Sequence, residues 1–147
     1  EITRQLQDEN SRSRALSAMA EHLREPFWLE ALEVTRQLQD EDSRSRALRA
    51  MAKYLPEALL PEALDVIWDI KDKYYCAYAL QGFLPYLGPL SMSFTQWADI
   101  LEILAYQNRV QLLNALPNIR SMLIRLGNEQ AFSETLQAVR DVCQQWP

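Results

Sequence analysis

The side chains of this sequence that could do chemistry recur at a fixed interval. Arg12 and Arg44 stand 32 residues apart, and Asp8, Asp40 and Asp72 repeat with the same spacing. At helical spacing Arg44 lies one turn before Leu48 and close in angle to Met51 and Leu55, so a guanidinium falls on an apolar face. A buried charge is costly unless it is paired. Each arginine is therefore expected to be stapled to a turn aspartate of its own or the next copy by two parallel N–H···O contacts. The alternative is that these arginines line a buried anion pocket. In the third copy the arginine position is Cys76, which removes the staple there, and Arg109 restores it in the fourth.

A second column at the same interval holds Arg14, Arg46 and Tyr78, on the outward side of their helices, with Arg49 and Lys53 nearby. Side by side they would form a ladder suited to an acidic or anionic partner, since arginine and tyrosine are frequent interface anchors. The plainer alternative is a solvated face paired with Asp42. Tyr74 and Tyr75 stand at a turn where the second copy has Asp42 and Ser43, an exchange that gives up capping chemistry. Tyr74, Tyr75 and Tyr78 are thus singled out as an interaction patch. Trp68, Phe83 and Tyr86 fall on apolar faces and are expected in the core.

Other chemistries find no footing. The three glycines, Gly82, Gly88 and Gly127, cannot build a glycine-rich phosphate cradle or a dinucleotide fingerprint. The single histidine, His22, holds the position of Tyr54 and Tyr86 in later copies, which points to packing and not to acid–base work. Cys76 and Cys143 form no CxxC pair and no zinc spacing, and the acidic turns lack the glycine and terminal glutamate of an EF-hand. No enzyme activity, cofactor or metal is expected. A net charge of −5 argues against a nucleic-acid surface. No apolar run approaches the roughly 18–20 residues that would span a bilayer. Free cysteines without a secretory leader point to a reducing, cytoplasmic setting.

The elements that must position these residues follow from the repeat. Residues 3–34 and 35–66 align without a gap, and 22 of the 32 positions are identical. Periods of 20–50 residues with such self-similarity indicate a solenoid or array. Each copy reads as two helices. In the second copy helix A, about residues 27–39, places Phe27, Trp28, Ala31, Val34, Thr35 and Leu38 on one side. The polar run from Asp40 to Ser43 supplies a turn and N-cap chemistry for helix B, about residues 43–55. Leu55-Pro56 ends it, and Pro61 suits the first turn of the next helix A. Ala47, Ala50 and Ala52 would let helices approach closely. The expected fold is all-α: a right-handed α-solenoid of about four helix-turn-helix repeats, near 1–26, 27–58, 59–90 and 91–127, with a capping helix at 129–146. Glu1 aligns with Glu33 inside a helix A, so a fragment of a longer protein is expected.

The pattern A-L-x-V-x-R-x-L-Q-D-E-x-S-R-S-R-A-L-x-A-M-A-x-Y-L-P-E, residues 31–57, resembles the TPR-like or HEAT-like two-helix repeats carried by large bacterial STAND-class signalling proteins with NACHT or NB-ARC modules. The resemblance covers nearly the whole chain and is clear over residues 1–90. It implies a sensor or regulatory C-terminal region of a multidomain switch, and it brings no nucleotide-binding or effector residue onto this chain. The expected function is non-enzymatic recognition of a protein or peptide partner, or of upstream domains of the same chain, on the helix-B face by a monomer. A passive spacer or self-association module is the alternative.

Overall fold

A computed structural model describes residues 8–88 and 94–107, with a few isolated positions between 117 and 140. Among the described residues there are six α-helices and no strand: α1 (Glu9–Met19), α2 (Glu25–Arg36), α3 (Glu41–Met51), α4 (Leu60–Trp68), α5 (Lys73–Phe83) and α6 (Phe94–Gln107). The second helix of the fourth expected copy, Arg109 included, lies outside the described residues, as does most of the expected capping helix with Cys143.

The helix starts are set by local chemistry. Asp8, Asp40 and Asp72 sit in extended backbone immediately before α1, α3 and α5, and each carboxylate accepts a backbone N–H of the first turn. The acceptor is Asp40 and the donor is Ser43, so helix B begins at Glu41, two residues before the expected start. Helices α2 and α4 carry a proline in the first turn, where a missing N–H costs nothing. Short 3-10 turns follow α1 at Ala20–His22 and α5 at Leu84–Tyr86, and another leads into α4 at Glu57–Leu59.

Helix α3 packs along α1 on one side and α5 on the other, and α6 packs mainly on α5. Helices α2 and α4 touch each other and lie against α3 and α5. The core between these rows holds Leu38, Leu48, Met51, Leu60, Ile67, Leu80, Phe83, Leu84 and Leu87, all within 2% of complete burial. Burying a side chain of this size contributes about 1.5–3 kcal/mol. Trp28, Ala31, Leu32 and Val34 form the buried side of α2, and Ala47 is fully buried at the α3 contact. Two expected core positions are not in it. Phe27 is 52% exposed and Trp68 is 37% exposed, because each stands at the rim of its apolar stripe, Trp68 beside an open cleft that it lines with residues of α6. Tyr86 is half-buried against the core, and His22, expected to pack, is exposed.

Candidate recognition surface

The joints between successive copies come first, because they decide which side chains remain available. Glu9, the first residue of α1, accepts the backbone N–H of Gln39 at 3.0 Å through one carboxylate oxygen and that of Asp40 through the other. Thirty-two residues on, Glu41 accepts the N–H groups of Lys71 and Asp72 at 3.0 and 2.9 Å. Each carboxylate thereby grips the turn that opens the next odd-numbered helix. At the corresponding place in α5 stands Lys73, whose ammonium instead pairs with Glu102 of α6 at 3.2 Å. The only sign of the glutamate grip in the sequence is the recurrence of Glu9 as Glu41, inside a run that reads equally well as capping chemistry.

The turn aspartates are occupied as caps. Hydrogen bonds from Ser11 hold the Asp8 carboxyl below its ordinary pKa of 3.8, and those from Ser43 do the same for Asp40. Asp72 accepts from Tyr74 N–H at 2.7 Å. The tyrosine exchange at this turn therefore keeps the cap, shifted from the third residue of the turn to the second, contrary to expectation.

Arg44 is not stapled to these carboxylates. It is 9% exposed, and its Nε donates to the Leu38 carbonyl oxygen at 3.0 Å. One terminal nitrogen reaches the same oxygen, and the other reaches the Asp69 carbonyl at 3.4 Å. Leu38 and Asp69 lie where α2 and α4 end, and helix ends leave carbonyl groups without intrahelical partners at the negative pole of the dipole. A guanidinium suits that place, whereas the aspartates are needed at the opposite, N-terminal ends. These bonds use all three guanidinium nitrogens, though only three of the five N–H donors. Arg12, in the first copy, is half-buried. Cys76 replaces arginine in the third copy, and its thiol donates to the Ile67 carbonyl at 3.6 Å. Burial, with a smaller push from the charge of Glu41, raises that thiol to a pKa of about 11.

The outward column divides. Arg14 and Arg46 are exposed, and Arg46 makes a forked pair with Asp42 one turn earlier, at 3.0 and 2.8 Å. Arg49 and Tyr78 form a joint between α3 and α5. The guanidinium carbon sits 4.4 Å over the Tyr78 ring, and one nitrogen donates to the Tyr78 carbonyl at 3.3 Å and to Gln81 Oε1 at 3.1 Å. Gly82 permits this approach: a Cβ there would lie 2.9 Å from Arg49 Cγ and 3.2 Å from its Cα and carbonyl oxygen. Tyr74 is 56% exposed and meets the half-buried Tyr75 edge to face, with centroids 5.5 Å apart. Arg14, Arg46 and Tyr74 are therefore the exposed members of the set, while Arg49, Tyr75 and Tyr78 are largely engaged within the fold.

Among the described residues no group of three or more His, Cys, Asp or Glu side chains is placed to hold a metal ion, and no helix is long and apolar enough to cross a membrane. No protein-family model, curated protein or solved structure matches the chain.

Proposed function

We propose that this chain is a non-enzymatic recognition module: an α-solenoid of two-helix repeats that displays the outer side of α1, α3 and α5 to a protein or peptide partner. The observation that carries this reading is the joint made twice, Glu9 on Gln39 and Asp40, then Glu41 on Lys71 and Asp72, 32 residues apart. Joints of one kind between successive units set like residues side by side, which is how repeat arrays build extended surfaces. Arg14, Arg46 and Tyr74 supply its exposed cationic and aromatic contacts. In keeping with the resemblance to repeats of STAND-class proteins, the module serves as a sensor or regulatory region of a larger bacterial signalling protein in the cytoplasm. It acts as a monomer, and its partner is a separate protein or peptide or the upstream domains of the same protein.

The test is affinity capture from host lysate, comparing the parent with an Arg14→Glu/Arg46→Glu/Tyr74→Ala variant of matched melting temperature. A partner held by the parent and lost by the variant is the expected result. A partner held equally by both would move the binding surface elsewhere. A second reading, a spacer with no external ligand, draws support from the engagement of Arg46 with Asp42 and of Arg49 with Tyr78. It predicts that neither protein captures anything.

A further inference from the structure

A cleft of about 420 Å³ opens beside the end of α4, lined by Trp68, Lys73, Gln96, Asp99, Glu102 and Ile103. That volume falls in the range of small-molecule and side-chain pockets. Its aromatic wall is the exposed Trp68, at the register position where the preceding copy carries Arg36. Arg36 there spans to the next helix end and pairs with Asp69 at 3.2 Å. Among the described residues the charges in the cleft do not balance. Lys73 is matched to Glu102, which leaves the exposed Asp99 without an ion-pair partner among the described residues. Asp65, one turn before Trp68 on α4, is exposed as well and adds to the negative approach.

We propose that this cleft receives an arginine side chain of a partner polypeptide, with the guanidinium laid on the Trp68 indole and its charge answered by Asp99. A planar, weakly hydrated guanidinium can stack on an aromatic face and fork onto a carboxylate at once, which a lysine ammonium cannot. Ile103, half-buried at the wall, gives the aliphatic stem of the arginine an apolar contact. The site shares no residue with the Arg14, Arg46 and Tyr74 surface and does not depend on the function proposed for it.

The probe is Nα-acetyl-arginine methylamide, titrated into the isotope-labelled 147-residue chain and followed by NMR. The Trp68 indole N–H resonance, identified through Trp68→Phe, should shift saturably with Kd on the order of 10 mM. Asp99→Asn and Trp68→Leu should each weaken binding by about three- to fivefold, read at the Ile103 amide in spectra that otherwise match the parent. The neutral citrulline analogue should give no saturable shift, and the lysine analogue should bind more weakly than arginine. No saturation by the arginine probe, equal binding of citrulline or lysine, or undiminished binding in Asp99→Asn would each overturn the proposal.

Discussion

The guanidinium of Arg49 rests 4.4 Å above the ring of Tyr78, and Gly82, one turn further along α5, is what lets the two helices come that close. Alanine at position 82 would ordinarily gain about 0.8–1.0 kcal/mol of helix propensity. Here its methyl group would press on the main chain of Arg49, and overpacking of that kind costs about 1–3 kcal/mol. Gly82→Ala should therefore lower the melting temperature, and Arg49→Ala should not rescue it, because Cα and the carbonyl oxygen remain in place. A melting temperature at or above the parent's would show that α3 and α5 separate without cost. In a double-mutant cycle, Arg49→Ala and Tyr78→Ala should couple by about 0.5–1 kcal/mol.

Glu41 bridges copies through two charge-assisted hydrogen bonds to main-chain amides. Glu41→Ala should cost about 1–2 kcal/mol in urea denaturation, and Glu41→Gln should recover part of it, because the amide offers only one acceptor oxygen. Hydrogen exchange gives the local readout: the Lys71 and Asp72 amides should lose protection in Glu41→Ala while the middle of α3 keeps it. Unchanged exchange at both amides would refute the bridge.

Arg44 holds two helix ends through their carbonyl groups. Arg44→Met should cost about 1–3 kcal/mol, since the buried Leu38 carbonyl and the part-buried Asp69 carbonyl would lose their guanidinium donors. Arg44→Lys should restore less than half, lacking the planar fork. Adding Asp40→Asn to Arg44→Met should be purely additive, because Asp40 bonds Ser43 and not the arginine. Coupling between the two substitutions would reinstate the aspartate staple.

Cys76 should be chemically quiet in the folded chain. With its thiol raised from 9.0 to about 11, the thiolate fraction at neutral pH falls about a hundredfold, before any steric shielding. In a Cys143→Ser background the native chain should react with a thiol–disulfide reagent at least about a hundred times more slowly than the urea-unfolded chain. The same shift ties stability to alkaline pH. The unfolded thiol ionises first, so the contribution is fully present below pH 9.0 and is lost as the pH rises to about 11. Equal labelling rates before and after unfolding would contradict the burial.

What could be read from the residues alone is mostly what depends on neighbours in the chain. The aspartate caps, the prolines that open α2 and α4, and the buried side of α2 all follow from spacing over one or two turns. The partners of Arg44 were not readable in the same way. Its position on an apolar face demanded a partner, but the partners are carbonyl groups, which every residue possesses and no residue type advertises. The same holds for Glu9 and Glu41, whose partners are amides 30 and 31 residues away. Trp68 and Phe27 illustrate a different gap. Periodicity assigns a residue to a side of a helix, but whether that side is covered depends on which helix comes next and where it packs. Tyr74, Tyr75 and Tyr78 form a group by residue type, yet only Tyr74 is largely open to water.

The exchange of glutamate for lysine at the start of α5 bears on how such a molecule could grow. A carboxylate that grips main-chain amides asks nothing of the side chains it meets, so a duplicated unit inserted between the first copies would find its joint ready-made. Lys73 meets a side chain instead, the carboxylate of Glu102, in a pair that is largely open to water. A surface pair of this kind contributes at most about 1 kcal/mol, and a unit inserted there would keep it only if lysine and glutamate were gained together. The early joints thus tolerate changes in copy number, while the junction at α6 marks a seam whose side-chain contact depends on the identity of both partners.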